Sequence, residues 1–145
     1  RREFWRLLAD LVSEGLTLLV ATPYLDEAER CTRVLLMHEG AILADDQPQT
    51  IPNLMPGFVV EVAATPRPAA VEALAALDTV VDVSVFGTKL HAHLVGETDP
   101  VDSIREVLAA HEINVESTRE IPAGLEDTFL YLTRASTSPL STEAS

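Results

Sequence analysis

The chain has 145 residues, 47% of them hydrophobic and 23% charged, and a formal net charge of −13. That length and apolar content suit one domain, or a domain plus a piece of another, and exclude a wholly disordered chain. With 10 Lys and Arg against 23 acidic residues, an electrostatic grip on nucleic acid or anionic lipid is excluded, and the charge reads as solubility.

The single cysteine, Cys31, leaves no disulfide or Cys-based zinc site within one chain and suits a reducing compartment. No apolar run reaches the roughly 18 residues that span a bilayer, and the charged start has no signal-peptide core. Beginning at Arg1 without a Met, the chain is expected to be a piece of a longer protein.

Phe4, Trp5, Leu8, Leu11 and Val12 fall on one helical face and predict a helix over residues 2–14, closed by Gly15. Residues 16–21 are apolar without alternation, the pattern of a parallel strand buried on both faces. Such a strand needs neighbours on both sides, so part of a sheet is expected to lie outside the chain. Thr22 and Pro23 predict the N-cap and first position of a short helix, with Asp26 and Glu27 near its positive end. Residues 32–38 and 41–45 predict two strands joined at Glu39-Gly40. Residues 48–54 predict a short helical or irregular connection, and Pro52, Pro56 and Gly57 place a boundary near residue 56.

Beyond it, Phe58, Val60 and Val62 alternate along a strand. A helix over residues 66–77 is predicted to bury Val71, Leu74 and Leu77. Val81, Val83 and Val85 alternate along the next strand, Gly87-Thr88 suits a two-residue turn, and Leu90, Ala92 and Leu94 continue the same face. Asp99 and Pro100 start a helix that buries Val101, Ile104 and Leu108, and Ile113, Val115 and Ile121 mark a last strand. The order β-α-β-β-α-β predicts an α+β fold of ferredoxin-like arrangement, one antiparallel sheet with two helices on one face. A final helix over 124–133 carries Leu125, Phe129 and Leu132 on the side that docks on the rest of the domain. The domains are therefore expected at 1–55 and 56–133, with a flexible tail over 134–145.

Residues 21–31, Ala-Thr-Pro-Tyr-Leu-Asp-Glu-Ala-Glu-Arg-Cys, resemble the switch-loop region of ABC-transporter ATPase subunits. There a strand ends in Thr-His or Ser-His and a short helix of the type Asp-Glu-Ala-Glu-Arg-Cys follows. Residues 1–5 match the helix after the family's D-loop, 15–20 the strand before the switch, and 34–40 the strand and turn after it. Residues 57–133 resemble the extra C-terminal domain of ATPase subunits in ABC-2 type exporters, with Leu125-Glu126-Asp127-Thr128-Phe129 matching its Leu-Glu-Asp-x-Phe. The resemblance implies the end of an ABC ATPase core followed by that accessory domain. The parent would couple binding and hydrolysis of ATP with Mg to export. Its partners would be a membrane permease subunit and a second ATPase unit, in the cytoplasm at the inner face of the cell membrane.

The departures bear on chemistry. The family's switch histidine contacts the terminal phosphate of ATP; the matching position is Pro23, which implies a half that binds nucleotide but hydrolyses poorly. Thr32 stands where the family often has Asp, and Asp46-Gln47 where Gly-Thr is common. The phosphate loop, the signature motif and the strand bearing the catalytic acid are absent from the sequence. The piece is therefore expected to be structural or regulatory, with no catalytic residue, cofactor or metal of its own, and to self-associate or order poorly over residues 1–50. The alternative is a ferredoxin-like small-molecule-sensing or dimerisation module.

Other candidates have plainer readings. Asp26, Glu27 and Glu29 could form a metal or acid–base cluster, but first-turn helix stabilisation explains them better. His91 and His93 share a strand face and could bind a metal. Leu90, Ala92 and Leu94 claim the core, so the histidines are expected to face solvent. Glu126 and Asp127 could be an active-site pair but read as first-turn acids, and Cys31 reads as packed. His38 and His111 have no partner visible in sequence.

Overall fold

The structure is a computed structural model that describes residues 2–96 and 98–137. Helix α1 (Arg2–Ser13) forms on the predicted periodicity, and Gly15 closes it at φ +94, a left-handed conformation that glycine tolerates. None of its residues is buried. The predicted strand over 16–21 does not form. No strand among the described residues pairs with it, and Leu19 is 96% exposed. A run apolar on both sides is buried only by a sheet on both sides.

The acidic helix starts later than Thr22-Pro23 suggests. Helix α2 (Leu25–Ala28) has Tyr24 at its N-cap and no side-chain cap. The Thr22 hydroxyl instead accepts from the Tyr24 N–H at 3.1 Å and donates to Glu27 Oε2 at 2.8 Å. This local turn competes with helix initiation and moves it along the chain. Strands β1 (Val34–His38) and β2 (Ala41–Asp46) form an antiparallel hairpin. Glu39 and Gly40 both have positive φ, +48 and +79, as a twisted two-residue connection requires. A 3-10 turn, Ile51–Leu54, buries Ile51 completely.

The second part contains β3 (Phe58–Thr65), α3 (Arg67–Ala75), β4 (Val80–Phe86), β5 (Lys89–Leu94), α4 (Pro100–Ala110) and β6 (Asn114–Ile121). The strands lie in the order β4-β5-β3-β6, every neighbouring pair antiparallel. With helices and sheets mixed in this way the fold class is α+β. Val60, Val62, Leu90, Ala92 and Leu94 on one sheet face pack with Leu74 of α3 and Ile104 and Leu108 of α4. Asp99 caps α4, accepting from the Asp102 N–H at 3.4 Å. β4 departs from the simple alternation. A register shift between Val80 and Asp82 ejects Val81, and Val80 and Val83 take the core contacts. Val81 and Val85 are left 52% and 58% exposed on this edge strand.

Helix α5 (Leu125–Thr137) lies between the two sheets. Leu125, Phe129 and Leu132 pack with Val34, Leu36, Ala44 and Ile51, so this side docks on the β1–β2 hairpin and not on the four-stranded sheet. Leu130, Tyr131 and Arg134, on another side, stand over the outer face of the four-stranded sheet. The helix continues through 134–137, part of the predicted tail; the rest of that tail, 138–145, lies outside the described residues. Among the described residues no helix is long and apolar enough to cross a membrane.

Candidate functional site

Two places carry chemistry-bearing residues. The first is the bend at Pro23, between the unpaired apolar run and α2. Pro23 is exposed, and its side chain has no hydrogen-bonding group. Asp26 and Glu27 occupy the first turn of α2, where they favour the helix N-terminus. Cys31 is half-buried against the hairpin core, with Sγ 3.8 Å from the Glu27 carbonyl. Arg30 lies over the Trp5 ring, 5.8 Å from its centroid, and ties this segment to α1. Among the described residues no group of three or more His, Cys, Asp and Glu is placed to hold a metal.

The second place is the outer face of the four-stranded sheet, beneath α5. Register sets Ser84, His91, Glu61 and Arg119 in one row across β4, β5, β3 and β6. Asp82, His93, Val59 and Ile121 form the next row. His91 and His93 therefore point away from the α3–α4 core, but they do not face solvent: His93 is 5% exposed and the His91 side chain 12%. The expectation failed because α5 covers a face that an antiparallel sheet often leaves wet.

His91 Nδ1 donates to Asp127 Oδ1 at 2.8 Å, and the Phe86 ring stacks on its imidazole at 4.0 Å. Asp127 Oδ2 accepts from the Gly124 N–H at 2.9 Å. Asp127 is thus more than a first-turn acid: one oxygen caps α5 and the other fixes the helix to the sheet. His93 Nε2 donates to the Pro56 carbonyl at 2.6 Å, and its ring meets Tyr131 edge-on at 5.5 Å. The other two histidines also have contacts: His38 with the Phe129 ring, and His111 Nδ1 with the Val107 carbonyl at 3.0 Å.

Glu61 accepts from Lys89 Nζ at 2.7 Å and Arg119 Nε at 2.9 Å. Those hydrogen bonds, from Lys89 first and Arg119 second, pull its carboxyl down to about 2. Beside this row, between sheet and helix, lies a cavity of about 240 Å³. Val59 and Leu130 give it apolar walls and Tyr131 an aromatic one, and its polar lining is Asp82, Ser84 and Arg134 together with His91, His93 and Asp127. Ser84 Oγ donates to Asp82 Oδ2 at 2.6 Å, and Arg134 pairs with Asp82 Oδ1. Sequence reasoning missed Asp82, Tyr131 and Arg134. The signal was Leu130-Tyr131, which gives the final helix a second apolar side beyond Leu125, Phe129 and Leu132.

Comparison with known proteins adds the family context. The chain is 34% identical over 134 residues to the probable multidrug ABC transporter ATP-binding protein YbhF of Escherichia coli (strain K12), which covers 91% of this chain and 22% of that protein. It is 30% identical over 138 residues to the daunorubicin resistance ATP-binding protein DrrA2 of Streptomyces coeruleorubidus, covering 92% of this chain and 43% of that one. It is 32% identical over 142 residues to the Nod factor export ATP-binding protein I of Burkholderia orbicola (strain AU 1054), covering 92% and 42%. The chain therefore spans between about a fifth and under half the length of these relatives. No family model and no solved structure matches it. Its homologues are ABC transporter ATP-binding proteins, and the match is to the C-terminal part of such a subunit.

Proposed function

We propose that this chain, homologous over 91% of its length to ABC transporter ATP-binding proteins, is the C-terminal part of the ATP-binding subunit of an efflux transporter. The observation that carries the reading is the span of the similarity. A single alignment of 134 residues is too long for either sheet unit alone and so takes in both. On this reading residues 1–55 are the end of the ATPase core and 56–133 an accessory domain. The strand order β4-β5-β3-β6, with α3 and α4 packed on one face, supports a ferredoxin-like arrangement for the second. The longer protein would bind ATP with Mg, pair with a second ATPase unit and a membrane permease, and work at the cytoplasmic face of the membrane.

The residues present do not fit a nucleotide site by themselves. Pro23 offers no donor to a phosphate, and the sequence holds no Gly-rich phosphate loop. This chain is therefore assigned a structural or regulatory part, and no step of hydrolysis is routed through it. Calorimetry separates the two levels: this chain gives no saturable MgATP binding, while the longer protein that carries it binds MgATP. A longer protein that binds none would sink the reading. In the longer protein, Pro23→His is expected to raise hydrolysis several-fold if Pro23 silences its site; an unchanged rate would remove Pro23 from the mechanism. A small-molecule-sensing role for the second unit is the competing reading, and the cavity beneath α5 is what favours it.

A further inference from the structure

We infer that the cavity between α5 and the four-stranded sheet is a binding site for a small organic cation with a flat apolar body, and that Arg134 occupies the cation's place when the site is empty. The inference takes up the small-molecule reading of this unit and does not depend on the transport reading, since every residue it uses lies within residues 59–134.

The chemistry of the walls sets the ligand class. Val59 and Leu130 present aliphatic surface, and Tyr131 presents a ring, so the body of a guest meets apolar and aromatic groups. His91, His93 and Asp127 also line the cavity, but the His91–Asp127 pair and the His93–Pro56 bond are internally satisfied, so the charged group open to exchange is the Asp82 carboxylate. Ser84 orients it by donating to Oδ2 at 2.6 Å, and Oδ1 is taken by the Arg134 guanidinium. An anion could pair with Arg134 only by leaving Asp82 uncompensated beside a second carboxylate, Asp127, and a neutral guest would leave the ion pair in place. A cation can exchange for Arg134 without leaving the carboxylate unpaired. The exchange is easy on geometric grounds. Arg134 sits in the last turn of α5 with its side chain 53% exposed, so it can turn into water, whereas Asp82 is 21% exposed and fixed on a strand. The ring of Tyr131 in the same cavity also favours positive charge. At about 240 Å³ the cavity is smaller than the roughly 300–1,000 Å³ of drug-sized sites, which limits the guest to a one- or two-ring amine.

Three probes with one body test this on the full chain by titration calorimetry: tryptamine as cation, 3-methylindole as neutral and indole-3-acetate as anion. Tryptamine is expected to bind one per chain, 3-methylindole about tenfold more weakly, and indole-3-acetate not at all. Asp82→Asn is expected to weaken tryptamine about tenfold, towards the neutral probe. Arg134→Ala gives the decisive sign, because removing the resident cation should tighten tryptamine several-fold while far-ultraviolet circular dichroism stays unchanged. This exposed substitution keeps the test open if Asp82→Asn fails to fold. Absence of saturable tryptamine binding, equal affinity for the three probes, or an Arg134→Ala variant that binds no tighter would each overturn the inference. Failure of the longer protein to bind MgATP would leave it standing.

Discussion

Glu61 lies in the middle of the outer sheet face with a cation on either side, and this fixes the sign of its contribution to stability. Its folded carboxyl is depressed to about 2 by Lys89 and Arg119, so its stabilisation is present above the ordinary glutamate range. That stabilisation is lost as pH falls from about 4.5 through about 2. Both cations reach solvent, which reduces the effect, and Glu61→Gln is expected to cost about 1–2 kcal/mol at pH 7. Urea unfolding at pH 7 and again near pH 2 checks this, since the gap between variant and parent should close at the lower pH. Gly57 makes a backbone prediction. It has φ +83, and a Cβ there would overlap the Leu94 carbonyl. Gly57→Ala should therefore cost about 2 kcal/mol or more, whereas Gly40→Ala, with φ +79 but open space around it, should cost about 1. Equal thermal shifts for the two would contradict the account. Sequence marked Gly57 as punctuation but could not show what it touches, because Leu94 is brought to it only by the β3–β5 register.

Helix α5 serves two sheets, and an element of that kind is read poorly from periodicity. Leu125, Phe129 and Leu132 were legible as an apolar side, but the hairpin they meet is distant in sequence. Tyr131 and Arg134 lie on another side, to which that periodicity assigns no role. The same gap explains the histidines: Leu90, Ala92 and Leu94 correctly identified one buried face of β5, and nothing local announced a cover for the other. The strands and helices of the second part were legible because each carries one continuous apolar face toward the α3–α4 core, and turn or cap residues such as Asp99 of α4 mark their ends. The run at 16–21 misled because its composition describes a burial that the described residues do not supply. Leu125→Ala is expected to cost about 2–4 kcal/mol, since the residue is 1% exposed and the helix cannot collapse onto one sheet without leaving the other. Amide exchange should then accelerate in β5 as well as in β1, although Leu125 packs with the hairpin core. Acceleration confined to residues 34–46 would show that the helix does not couple the sheets.

At the scale of the whole molecule, apolar exposure is dense along residues 4–20. Phe4, Leu7, Val12, Leu16, Leu19 and Val20 are each at least 40% exposed, against a net charge of −13 that keeps chains apart. Self-association is therefore expected to rise with salt, and Leu19→Asp should suppress it without moving the thermal midpoint. Sedimentation at two salt concentrations measures the first, and calorimetry the second. In the monomer, amides at 16–20 should exchange far faster than those at 90–94; equal rates would mean that the run has found a strand partner. A ribosome delivers the hairpin and the four-stranded sheet before it delivers the helix that covers a face of each. Until residues 125–137 emerge, Val34 and Leu36 on one sheet and His91 and His93 on the other lack the part of their cover that α5 supplies. The four-stranded sheet can settle on α3 and α4 by itself, and the helix made last closes its outer face and the hairpin in one step.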